Sequence, residues 1–251
     1  MLKKTVESKG NEVPRGKSRV IKGKTTAQKP SRSKFRGIDP RGNGLKMIII
    51  SIILAFVLWY ATFIVKPFNF WLMMTFNTLL LSAVSFCWGG HFFRWREWNL
   101  RNILLGVGAA VVLYGIFFTG HHMLVWAGNS MGILPHRAEN LNSIYANREI
   151  ISPALIAALL FFPIGFGEEI FWRGFIQKFF QQKWGKAAAF IVTLVLYTGV
   201  HVPTANPVLI LAAFICGAYW GGLYCFTGSL VPVIVSHMVW DPFIFIIFPI
   251  R

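Results

Sequence analysis

The chain has 251 residues, of which 55% are hydrophobic and only 14% charged, and its formal net charge is +16. Soluble domains average about 25% charged residues, so the composition excludes an ordinary soluble enzyme and points to an all-α, polytopic transmembrane helix bundle. The positive charge does not point to nucleic acid. Residues 1–46 hold fourteen Lys or Arg against three acids, and no groove-reading or base-stacking motif accompanies them.

That N-terminal stretch is rich in Lys, Arg, Ser, Gly and Pro. It cannot bury enough apolar surface to fold, and a disordered cytoplasmic tail over 1–46 is expected. Beside a first membrane helix its charge acts as a positive-inside determinant and a contact for anionic lipid headgroups. A transmembrane domain is expected over 47–250. Its apolar runs predict about seven spans, at 47–65, 70–88, 103–126, 152–180, 187–202, 207–226 and 230–248. The longest polar loop after the tail is expected at 129–149. Pro163, Gly165 and Gly167 predict a kink in the fourth span, just ahead of two acids. With the N-terminus inside, Lys and Arg concentrate in the tail, in the 89–101 connection and at 178–186. The outer segments hold only Lys66, Arg137, Arg148 and Arg251. Cys87, Cys216 and Cys225 are too few and too apolar in context for a disulfide framework.

Ionisable groups at membrane depth are costly, and they mark function unless something neutralises them. From residue 151 onward the acids are Glu168, Glu169 and Asp241, and the histidines are His201 and His237. Counting at 1.5 Å per residue brings Glu168, His201 and His237 to the middle of the bilayer on three different helices. Glu169 and Arg173 are spaced i,i+4 with the acid first, the better order for an ion pair. Tyr197 and His201 share that spacing, as do His237 and Asp241. Glu168 points about 100° away from Glu169 and has no local partner. The economical reading makes Glu169 and Arg173 a structural pair and leaves Glu168 free for chemistry. A general base beside a water fits the set. So does a zinc site on Glu168, His201 and His237 with one open position. His91, His121, His122 and His136 fall at helix ends or in loops and are given no role.

The ordered motifs Glu168-Glu169-xxx-Arg173, Tyr197-xxx-His201 and His237-xxx-Asp241 resemble the three motifs of the CPBP family of intramembrane proteases, also called Abi or CAAX-protease-like proteins. The resemblance covers a catalytic core at 151–248. Tyr197 replaces the usual Phe, and Asp241 falls where the motif carries Asn or Asp. The resemblance implies an intramembrane endopeptidase acting on a membrane-associated or lipidated protein or peptide. Glu168 and His201 would activate water, His237 and Asp241 would hold or polarise the oxyanion, and Glu169 and Arg173 would support the site. It implies no cofactor, with zinc as the alternative, and an integral protein of a bacterial plasma membrane, whose N-terminus the Lys and Arg distribution places in the cytoplasm. Two rival readings remain on the residues alone: a non-catalytic adaptor or bacteriocin-immunity-type protein, and a proton-coupled transporter using the same buried groups as a relay.

Overall fold

Six helices are long and apolar enough to cross a membrane: α1 (Gly44–Val65), α2 (Phe70–Gly89), α3 (Leu100–Met131), α5 (Pro153–Trp184), α6 (Lys186–Thr204) and α7 (Pro207–Thr227). A shorter apolar helix, α8 (Val231–Ile247), completes the set, and α4 (Arg137–Tyr145) lies between α3 and α5. The computed structural model describes residues 1, 2, 5, 43–89, 92, 95–149 and 151–250, and among these every regular element is helical. The protein is an all-helical integral membrane protein. The expected disorder and lipid contact of the basic tail fall outside the described residues, as do His91 and Arg94. The first helix begins at Gly44.

The other spans match their expected positions to within a few residues, with one correction. The 129–149 segment is not all loop, because α4 forms within it. The fourth span carries the expected kink. Phe162 adopts an extended conformation (φ −154°, ψ 126°) directly before Pro163, and the two helical parts of α5 meet there. Pro disfavours helical geometry in the residue before it, which accounts for the position of the kink.

In lipid, a helix need not be amphipathic, so the buried stripe is read from size and polarity rather than hydropathy. On α1 the buried positions are Ile48, Ser51, Ala55, Trp59 and Thr62, while Ile49, Ile53 and Val57 are exposed. The steps of three and four residues are those of one helix face. The small or polar members also bond. Asn77 of α2 donates from Nδ2 to the Leu58 carbonyl (3.1 Å) and to Thr62 Oγ1 (2.7 Å), tying α2 to α1 away from water. Such bonds between transmembrane helices contribute about 0.6–2 kcal/mol each.

Hydrogen bonds define two ends of the bundle. At one end, Ser229 donates to Glu97 Oε2 (2.8 Å), joining the α7–α8 link to the α2–α3 link. At the other, Trp71 donates to the Asn147 carbonyl (2.8 Å), Asn206 donates to the Asn140 carbonyl (2.9 Å), and Tyr145 donates to the Ile244 carbonyl (3.1 Å). The starts of α1, α3, α6 and α8 therefore share the first end, and α4 closes over the second.

The centre of α5 is enclosed on all sides: Ile170, Phe171, Trp172, Arg173, Ile176 and Gln177 are 0–1% exposed. Two glycines allow neighbouring backbones to come this near. A methyl group on Gly165 would lie 2.9 Å from the Leu160 carbonyl oxygen and 3.2 Å from the Met238 backbone, and one on Gly167 would lie 3.0 Å from the Thr78 carbonyl oxygen. Backbone cannot step aside as a side-chain tip can, so Gly165→Ala must distort the bend at Leu160 within α5 and press on α8 at Met238. The expected result is a loss of about 1–3 kcal/mol, the usual range for overpacking, seen as a lower thermal midpoint in detergent. An unchanged midpoint would show that the two helices have slack between them.

Candidate active site

The first cluster is a chain of alternating charges joining α5 to α8. Arg173 Nη1 donates to Glu169 Oε1 at 2.8 Å. His237 Nδ1 meets the same Glu169 oxygen at 2.7 Å, and its Nε2 lies 3.2 Å from Asp241 Oδ2. Glu169 and Arg173 are fully buried. Both ring nitrogens of His237 thus face carboxylate oxygens, an arrangement in which both N–H groups of an imidazolium find acceptors. Trp220 of α7 stacks on the His237 ring, with centroids 3.7 Å apart and planes 20° apart, and Trp220 is itself anchored by donating to Ser236 Oγ (3.2 Å). The Arg173 guanidinium lies over the Tyr197 ring at 4.6 Å and near the Gly217 carbonyl. A charge with this many partners can be kept in an apolar interior.

The second cluster joins α5 to α6. The Tyr197 hydroxyl donates to Glu168 Oε2 at 3.2 Å. One turn further, His201 Nδ1 lies 2.9 Å from the Tyr197 carbonyl. A carbonyl only accepts, so this contact places the proton on Nδ1 and leaves Nε2 as the ring's lone pair. Edge-on aromatic contacts from Phe63 and Trp59 hold the ring. His201 sits just beyond the regular turns of α6, which end at Gly199.

A cavity of about 600 Å³ reaches both clusters. Its walls include Glu168, Tyr197, His201, His237 and Asp241, but not Glu169 or Arg173. The two adjacent acids are thereby separated, one facing open space and the other locked into the charge chain. The i,i+4 pairs expected from the sequence, Glu169 with Arg173 and His237 with Asp241, both form. Three features carried no sequence signal because they depend on how helices face one another: the Glu169–His237 link, the Tyr197 bond to Glu168 and the Trp220 stack. His121, given no role from its position, lies on the cavity wall.

Of the alternative zinc set, Glu168, His201 and His237, the last meets Glu169 through Nδ1 at 2.7 Å and lies 3.2 Å from Asp241 through Nε2. Among the described residues no group of three or more His, Cys, Asp or Glu is disposed to hold a metal ion.

Residues 150–243 match the family model for type II CAAX prenyl endopeptidase Rce1-like proteins. This is the family grouping that the three motifs resemble, and the matched segment contains all of them. The match supports CAAX-type intramembrane protease activity in general terms. No curated protein and no solved structure matches the chain.

Proposed function

We propose that this protein is an intramembrane endopeptidase that hydrolyses a peptide bond of a membrane-associated or lipidated substrate through a glutamate-activated water. One observation carries the reading: of the two adjacent intramembrane acids, only Glu168 faces the cavity, and it does so with His201, His237 and Asp241. A water held between Glu168 and His201 Nε2 gives its proton to Glu168 as its oxygen attacks the carbonyl carbon. His237, fixed between Glu169 and Asp241, supplies positive charge where the carbonyl oxygen gathers electrons. Collapse of the tetrahedral species breaks the C–N bond, and Glu168 returns the proton to the departing amine. Arg173 and Glu169 position His237 and do not touch the substrate. The basic tail lies on the cytoplasmic side of a bacterial plasma membrane, against anionic lipid.

The test is to compare the membrane peptidome of cells making the wild-type protein with that of cells making Glu168→Gln, and then to cleave with purified protein whichever peptide accumulates uncut. A peptidome that does not differ, together with purified protein that cleaves none of the candidates, would remove the protease reading in favour of a non-catalytic role.

Tyr197 allows a finer test. Its hydroxyl restrains Glu168, yet the motif that the chain resembles carries Phe at this position. Tyr197→Phe is therefore expected to lower kcat by about tenfold or less, the scale of one ordinary hydrogen bond, with KM unchanged. A lower thermal midpoint with unchanged kcat would make the hydroxyl a packing strut only.

A further inference from the structure

We propose that the cavity is reached from the non-cytoplasmic face of the membrane, so that the segments cut are those displayed outside: exported peptides or outward-facing tails, not cytosolic C-termini. That the molecule entering is a substrate rests on the protease reading; the direction of access does not.

The cavity lies at one end of the bundle. Its outer wall takes one or more residues from each element present there, including Lys66 after α1, Phe70 of α2, Leu124 of α3, Ile144 of α4, Leu209 of α7 and Phe245 of α8. Every one of these belongs to the end that α4 closes over. Among the described residues the opposite end contributes none, and its described side chains are tightly packed. Below the charge chain, Phe175, Gln177 and Phe179 are 0–2% exposed. Space there is so short that a methyl group on Gly89 would come within 2.7 Å of the Phe92 ring, and one on Gly174 within 3.0 Å of it. A peptide cannot reach Glu168 through that packing without unfolding the centre of α5.

Charge assigns the two ends to the two sides of the membrane. The filled end is where α1 begins, so the tail with its fourteen Lys or Arg attaches there. The same end carries Arg96, Arg101, Lys183 and Lys186. The cavity end carries Lys66, Arg137 and Arg148, with Glu139 beside them. Short loops rich in Lys and Arg stay in the cytoplasm. The filled end therefore faces the cytoplasm and the cavity end faces away from it. Arg137 reinforces the opening by donating to the Leu124 carbonyl at 2.9 Å, which holds α4 against α3 at the rim.

The experiment uses sealed right-side-out and inside-out membrane vesicles and a charged, membrane-impermeant thiol reagent. In a chain with Cys87, Cys216 and Cys225 replaced by alanine, Ile144→Cys and Leu209→Cys report on the cavity wall and Lys183→Cys on the filled end. The expected result is labelling of both wall positions in right-side-out vesicles with loss of labelling in inside-out ones, and the reverse for Lys183→Cys. Should the substituted chains not fold, the wild-type protein serves, because Cys216 lines the cavity and its labelling can be read by peptide mass. Labelling of the wall from the tail side overturns the proposal, and so does labelling only after detergent solubilisation. Adding a cleavable peptide to each vesicle type separates the two readings. Wall labelling from outside with no cleavage from either side removes the protease reading and leaves the direction standing. Cleavage confined to inside-out vesicles removes the direction and leaves the protease.

Discussion

Glu168→Gln is expected to abolish cleavage while leaving folded yield nearly unchanged. The amide matches the carboxylate in size and can still accept the Tyr197 hydroxyl bond now made at 3.2 Å, so little packing is lost. What disappears is the proton acceptor on the cavity wall, and general-base assistance contributes about 10²–10⁴-fold to rate. The same substitution at Glu169 has a different expectation, because that carboxylate is enclosed and holds Arg173 and His237 together. Its loss should show first in yield and only through folding in activity. If Glu168→Gln retains more than a tenth of the wild-type kcat (about 1.4 kcal/mol of barrier), another group is the base.

The neighbours of Glu168 are expected to follow in a defined order. His201→Ala removes the lone pair that faces the same space and should approach the Glu168→Gln loss. Asp241→Asn should be milder, because an amide oxygen can still accept from His237 Nε2. A metal analysis of purified protein adds an independent check. Stoichiometric zinc, lost in each of the Glu168, His201 and His237 single substitutions, would replace the glutamate mechanism with a metal one and leave the peptidase assignment in place.

Helix number and placement were legible because lipid requires backbone groups to bond within each segment, so the length of an apolar run maps directly onto a span. The pairs within one helix were legible for a similar reason, since i,i+4 spacing fixes a shared face. That logic stops at the helix surface. Nothing in the spacing of Glu169 and His237, 68 residues apart, shows that α8 would turn His237 toward Glu169 instead of Glu168. Nor does any pattern reveal that Trp220 would cover the imidazole. The kink at Phe162 was legible because Pro163 removes a backbone donor and disfavours helical geometry in the residue before it. The α4 helix was hidden by its polarity, because a short polar helix lacks the apolar run that identified the others. Its role in positioning the cavity rim through Tyr145, Arg137 and Asn140 became visible only through its bonds to distant elements.

Arg173→Ala is expected to be the most damaging single change to folding. The guanidinium neutralises Glu169 at 2.8 Å, stacks on Tyr197 and fills space in a region where its neighbours are fully buried. Removing it leaves Glu169 with His237 as its only cationic partner and opens a hole between α5, α6 and α7. Breaking a buried pair typically costs about 3–5 kcal/mol, a large share of the 5–15 kcal/mol that holds most domains folded. Folded yield in membranes should fall sharply. The double change Glu169→Gln with Arg173→Gln removes both charges and keeps most of the volume, so it should recover part of the yield. It should not recover activity to the same degree, because His237 then has an amide where a carboxylate held its Nδ1 at 2.7 Å, and the ring we propose for the scissile carbonyl is less firmly oriented. Yield and kcat are therefore expected to separate in the double variant, with yield partly rescued and kcat still depressed. Full rescue of both would mean that the charge chain serves packing alone, and rescue of neither would mean that the Arg173 contacts with Tyr197 and Gly217, not its charge, hold α5 in place.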